Sequence, residues 1–244
     1  MFSCKIIFAG MKRFLLAGFL FFTWIVAIGQ DYQVFKGDTI NFKDKKGLKQ
    51  GIWRKYYRTD TLFSETFFLN DKPSGISRTW YESGKLKGEV RFEKAKIQSS
   101  GTTYFENGKV MAKGFYRNQQ KDSTWSYFHE SNDTLSAIEQ YKNGVSHGTW
   151  KIFYKNGQLA HELNYTNGKK DGRVRQFSED GKLIFEMQYK SGQEDGLSVL
   201  YYPDGKPREK GNYKKGEREG LWQQFSEAGV VTKETHYKNG VEVK

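Results

Sequence analysis

Cysteine is almost missing from this chain of 244 residues, with Cys4 as its single representative. That excludes a disulfide framework and paired-thiol chemistry. Proline is held to three residues and histidine to four, at His129, His147, His161 and His236. A protein metal site needs three or four ligands converging on one point, and these scattered histidines offer no such set. Nothing beyond residue 30 shows helical spacing over a useful length, so no helix N-terminus is there to hold a phosphate. The G-x-x-x-x-G-K-[ST] loop is missing as well. Neither Ser-His-Asp nor Cys-His nucleophile arrangements have a supporting signature. No catalytic residue, cofactor or metal is expected.

What is present is repetition. A glycine-like position recurs at Gly51, Gly75, Ser99, Ser123, Gly148, Gly172, Gly196 and Gly220, with a period of 24 residues and one spacing of 25. A fixed period marks an array of one supersecondary unit that cannot bury its apolar face alone. Such a surface suits binding along its length, whereas an enzyme normally shows an unrepeated cluster of reactive groups.

Unit five, residues 148–171, shows the local grammar. Two apolar runs are each closed by an Asn-Gly pair, Asn156-Gly157 and Asn167-Gly168. Asn-Gly between β-formers predicts a type I′ hairpin turn, because both residues accept positive φ. Similar pairs recur at Ser83-Gly84, Asn107-Gly108, Asn143-Gly144, Asp180-Gly181, Asp204-Gly205, Lys215-Gly216 and Asn239-Gly240. The second strand of the unit alternates, with Leu159, His161, Leu163 and Tyr165 on one face, so it predicts a half-buried strand. In the first strand, Trp53 and Tyr56 are three apart, as are Trp150 and Phe153. Either both faces carry aromatics, or a bulge resets the register.

The expected fold is therefore all-β: an elongated, twisted, single-layer antiparallel meander of about eight hairpins. One layer has no facing layer to pack against. Six Trp, fifteen Tyr and nineteen Phe supply rings that cover one another from unit to unit.

The ends read differently. Residues 1–29 form a secretory signal peptide: Lys12-Arg13, an uncharged run from Phe14 to Ile28, and small residues before a cut near Gly29. Met11 fits better than Met1 as the start. Residues 30–50 read as an N-terminal cap with a half-repeat, and residues 51–244 as eight repeats with a C-terminal end strand. Cleavage would remove Cys4 and leave an exported, periplasmic or secreted chain that meets a membrane only peripherally; an uncleaved signal would instead anchor it. The formal charge is +12, and cleavage removes only Lys5, Lys12 and Arg13 of the basic residues. Export argues against nucleic acid as the partner of this charge, and favours anionic lipid head groups or envelope glycan.

The pattern carried by Gly148, Trp150, Phe153, Tyr154, Asn156, Gly157, Leu159, Glu162, Tyr165, Asn167 and Gly168 resembles the MORN repeat in its bacterial variant form. The resemblance covers residues 41–244. Unit three departs from it with Gly101 in place of tryptophan and Lys113 in place of glutamate. Unit four has Ser131-Asn132-Asp133-Thr134 and one extra residue at its turn. Both departures are expected to weaken the local hairpins. The resemblance implies a β-hairpin scaffold for protein contacts, in some members for phospholipid head groups, and many bacterial relatives are labelled antitoxins.

Two repeated features are candidates for function. Glu65, Glu89, Glu162, Glu186 and Glu234 recur at one unit position, with Arg54, Arg78, Lys151 and Arg175 between them. A catalytic pair needs two different environments to separate its pKa values, and a repeated ladder supplies similar ones, so charge pairing across strands is expected. The other feature is a stripe of rings: Trp53, Tyr57, Tyr81, Trp125, Trp150, Tyr154, Tyr201 and Trp222. Exposed, they suit a protein partner or sugar stacking; packed on each other, they are the core of a thin sheet. The functional expectation is a non-catalytic scaffold for protein–protein interaction in the cell envelope. Lipid or glycan binding and an antitoxin-like role are the alternatives.

Overall fold

The structure, a computed structural model, describes residues 31–92 and 98–243. The signal segment, its candidate start Met11, and Cys4 lie outside the described residues. Among those described there is no helix. Twenty-one strand segments form one antiparallel meander from Asp31–Phe35 to Val241–Val243, in which Val145–Ser146 with Gly148–Phe153, and Lys169–Lys170 with Gly172–Phe177, are each two pieces of one interrupted strand. The sheet is open and does not close into a barrel. All substantial contacts run between neighbouring strands, so the meander is a single layer. At ~4.8 Å per strand spacing the meander extends roughly 90 Å measured along the sheet across its strands.

Within a unit the two strands pair in continuous register, as from Gly148↔Tyr165 to Ile152↔His161. One extra residue then bulges before the hairpin turn. Trp53 and Tyr56 consequently lie on opposite faces. Trp53 meets the edge of Phe68, while Tyr56 stacks on Phe35 with ring centroids 4.0 Å apart. Both faces carry aromatics, and the bulge lies on the partner strand rather than between the two rings.

The Asn-Gly turns divide into two kinds, which corrects the uniform type I′ expectation. Between units, Asn143-Gly144, Asn167-Gly168, Lys215-Gly216 and Asn239-Gly240 have positive φ at both residues, as type I′ requires. Within units, only the glycine of Asn107-Gly108, Asn156-Gly157, Asp180-Gly181 or Asp204-Gly205 is left-handed. There the Asn156 side chain accepts from the Gln158 amide at 2.9 Å, and the Gly157 amide donates to Tyr154. The shorter turn continues the strand twist, and the longer one absorbs the extra residue.

Units three and four form hairpins despite both departures. Gln98–Tyr104 pairs regularly with both neighbours through Phe92↔Ser99 and Ser99↔Tyr116. The extra residue of unit four is taken up at its turn, where His129 and Thr134 close the loop and Asp133 has positive φ.

At the N-terminal end, Asn41 stands in for a strand. Its side-chain amide donates to the Arg54 carbonyl at 3.1 Å and accepts from the Arg54 amide at 2.7 Å. That satisfies both backbone groups of an otherwise open position.

Candidate functional site: the two sheet faces

The glycine-like position is where the ladder between units breaks. Lys210 pairs with Gln223 and Asn212 with Glu219, so one residue on the earlier strand faces three on the later. The two surplus residues form a wide bulge, with Gly220 left-handed at φ 73°. The same break occurs at Gly75, Ser123 and Gly196. Ser99 is the exception, in regular pairing with Phe92. Inside the break sits a tryptophan in three units, Trp125, Trp150 and Trp222, and Ser77 or Ser198 where the break is at Gly75 or Gly196. The indoles of Trp125 and Trp222 lie on a glycine of the preceding strand: a Cβ on Gly211 would come within 2.2 Å of Trp222, and one on Gly114 within 2.5 Å of Trp125. The indole Nε1 donates to a carbonyl of the strand before, Trp125 to Phe115 at 2.9 Å and Trp150 to Gln140 at 2.9 Å, the Gln140 carbonyl accepting from the His147 amide as well. Trp125 and Trp222 are 2% and 4% exposed, so they fill the sheet and offer no ring to a partner. Trp53 and Trp150 are half-buried.

Beside each tryptophan position stands an aromatic of the neighbouring second strand: Phe68, Phe92, Tyr116, Tyr141, Tyr165, Tyr189, Tyr213 and Tyr237. Trp150 sits between Tyr141 and Tyr165 with centroids 5.2 and 4.7 Å away. Cations lie over several of these groups. Lys121 stands about 5 Å from the rings of Trp125, Tyr127 and Tyr141, and the Arg218 guanidinium is 4.0 Å from Trp222. Such contacts stabilise by ~0.5–2 kcal/mol each.

Tyr57, Tyr81 and Tyr154 run along the hairpin turns, half-buried, each donating its hydroxyl to a backbone carbonyl one unit ahead. Tyr202 continues that row with a bond to Phe225. Tyr201, grouped with them in the sequence, is one residue out of step and donates instead to Glu186 at 2.9 Å. The eight candidate rings therefore divide among three rows and do not form one stripe.

One cluster is unrepeated. Glu139 lies directly opposite Trp125 on the tryptophan face. Equivalent positions in the other units hold Thr66, Val90, Gly114, Leu163, Met187, Gly211 and Thr235. Tyr141 donates to Glu139 at 2.7 Å, and Lys121 bonds the Tyr127 hydroxyl. Burial first, and then the Glu139 carboxylate, push the Tyr127 phenol well above its ordinary range and that of Tyr141 up to about 12. Sequence reading passed over Glu139 because Ile138 occupies the ladder position. A shift of one residue along a strand moves a side chain to the opposite face, and that parity was the available signal.

The opposite face carries the glutamate ladder as charge pairs: Arg54–Glu65 at 2.8 Å, Arg78–Glu89 at 3.0 Å and Arg175–Glu162 at 2.6 Å. Glu234 accepts from Gln223, and Glu186 from Tyr201. Lys151 faces Glu162 in register without an ion pair among the described residues. Next to this ladder runs a row that the sequence reading did not single out. Ile52 and Phe67 are directly paired and 43% and 45% exposed, and Phe115, at the matching place in unit three, is 46% exposed. Phe63 and Leu69 flank Phe67 on the same face. The row is interrupted in unit two by exposed Arg91, turns polar in units four and five with Thr124, Gln140, Thr149 and Asn164, and carries exposed Leu197 and Leu221 again in units seven and eight.

The MORN repeat variant family matches the chain at residues 73–94, 100–118, 146–167, 170–191, 194–215 and 218–239, more than half of its length. Among curated proteins none matches the chain significantly. Among solved structures, a crystal structure of TarM is similar at 15% identity over 43% of this chain and 20% of that one, with a TM-score of 0.30. A TcdB2-TccC3-Cdc42 structure is similar at 11% identity over 81% of this chain and 12% of that one, TM-score 0.23. A porin-like protein from Bacteroides uniformis ATCC 8492 is similar at 10% identity over 78% of this chain and 91% of that one, TM-score 0.19.

Proposed function

The chain belongs to the MORN repeat variant family, and from that premise we propose that it is a non-catalytic scaffold binding a protein partner in the cell envelope. MORN repeats generally serve as protein- or membrane-binding scaffolds. The observation that carries the protein reading is the exposed apolar patch of Ile52 and Phe67, with Phe63 and Leu69 beside it and Phe115 as a further exposed ring beyond Arg91. Rings that could pack into the sheet have done so, whereas these stay exposed. Contiguous exposed apolar side chains rimmed by charge characterise interaction surfaces. The Arg54–Glu65 and Arg78–Glu89 pairs supply that rim. The export signal read at residues 1–29 supports a partner outside the cytoplasm.

In-cell crosslinking of the tagged protein in its native host tests this reading. A dominant captured protein from the envelope fraction supports it. Capture of none, with the chain held at the membrane or wall until salt is raised, replaces it with anionic lipid or glycan binding. A cytoplasmic, unprocessed chain joined to a toxin replaces it with the antitoxin role.

A further inference from the structure

One repeat position builds a ladder of hydroxyls along the hairpin turns. Tyr57, Tyr81, Tyr154 and Tyr202 donate to the carbonyls of Trp80, Tyr104, Phe177 and Phe225 at 2.7–2.8 Å. A ring nitrogen of His129 lies 3.1 Å from the Phe153 carbonyl in the same way. Each ring fills the space between its own turn and the next. In unit three the position is Phe105, a ring with no hydroxyl to donate, and in unit six it is Ser178, with no ring at all. Its hydroxyl turns back into its own hairpin, toward Asp180 and the backbone of Lys182. Among the described residues, no side-chain donor reaches the carbonyl of Tyr201, where the ladder's next bond belongs. In place of the ring there is a partly enclosed depression of about 420 Å³, lined by Ser178, Leu183, Ile184, Tyr202, Pro203 and Arg208 among others.

We infer that this depression receives a tyrosine side chain of the protein partner, seated as the repeat's own tyrosines are seated elsewhere. The inference rests on the protein-binding reading above and names a second contact for it. The occupant is specified three ways. The apolar walls of Leu183, Ile184 and Pro203 suit a flat ring. The Tyr201 carbonyl calls for a hydroxyl donor, which phenylalanine lacks. Asp180 is paired with Lys182 at 3.1 Å, whereas exposed Arg208 has no carboxylate within ion-pair distance among the described residues. An acidic residue beside the partner's tyrosine complements Arg208.

The test uses the isotope-labelled full chain, with N-acetyl-tyrosinamide, N-acetyl-phenylalaninamide and a short peptide holding one tyrosine between two glutamates as probes. Amide shifts confined to Leu183, Tyr202 and Arg208 are expected, with two- to tenfold preference for tyrosine over phenylalanine, the worth of one hydrogen bond. Ser178→Tyr should fill the site from within, raise Tm by several degrees and abolish the shifts. Arg208→Glu should leave the tyrosinamide shifts in place and weaken the acidic peptide. No shift with the tyrosine probes overturns the inference, as does a Ser178→Tyr chain that binds them as before or melts lower. Should Ser178→Tyr retain in-cell partner capture that Phe67→Lys loses, the scaffold reading stands and this site is not part of its interface.

Discussion

Trp222 donates its indole Nε1 to the backbone carbonyl of Asn212 at 3.1 Å, across the break that Gly220 opens in the strand ladder. The side chain of one unit thus satisfies a backbone group of the unit before it. A single-layer sheet has no second layer to shield such a break, so the plug must come from the sheet itself.

Removing the plug should be costly. Trp222→Ala is expected to lower stability by about 3–5 kcal/mol, and Trp222→Phe by about 1–3 kcal/mol through the lost bond and the smaller buried area. Trp53 provides the contrast, because its buried Nε1 has no partner. Trp53→Phe should cost clearly less than Trp222→Phe in urea denaturation, and equal losses would remove the bond's role.

The glycine under the indole should be as intolerant as the indole. A Cβ at Gly211 would sit 2.2 Å from the Trp222 ring, which is closer than any real contact. Gly211→Ala should lower stability by about 1–3 kcal/mol, and the double variant Gly211→Ala with Trp222→Ala less than the sum. Additive losses would contradict the packing of the two.

Much of this architecture was legible in the sequence, and the misses have physical causes. Period two and the turn residues identified the hairpins, because alternation records which face is buried. The charge ladder followed from the same alternation, as Arg54–Glu65 and Arg78–Glu89 show. The period could not reveal that the ladder between units breaks at Gly75 or Gly220, since a bulge leaves the repeat length unchanged. Grouping Tyr201 with Tyr154 failed by one residue, and one residue reverses the face. The exposed row Ile52–Phe67 was hidden because an apolar residue in an alternating strand reads as core.

Several phenols should titrate late, with Tyr127 the latest and Tyr141 and Tyr201 among them. Burial and then a neighbouring glutamate push Tyr141 and Tyr201 up to about 12, against ~10 for an exposed phenol. Both raised values mean stability fully present below pH ~10 and lost as pH rises toward 12. Phenolate absorbance should rise in two steps, and Tyr141→Phe and Tyr201→Phe should each shrink the later one. A single step near pH 10 would contradict the Glu139 and Glu186 contacts.

Acid should act through Asp122. The Asn143 backbone amide, and then Arg117 and Ser123, hold its carboxyl below the usual range against the opposing effect of burial. A lowered folded-state value contributes stability above pH ~4 that is lost as pH falls through the folded pKa. Asp122→Asn should therefore lower stability at neutral pH and flatten its decline in acid. An unchanged acid limb in thermal melts across pH 2–6 would exclude Asp122 as a source of that decline.

The central claim is that this repeat sheet is a protein-binding scaffold whose contact lies on the apolar row. The most direct measurement compares in-cell crosslinking of the wild-type chain with that of Phe67→Lys/Phe115→Lys. Both side chains are about half exposed, so the double variant should fold with an unchanged Tm. The account predicts that it loses at least tenfold of the captured partner. Undiminished capture by a folded double variant would contradict it.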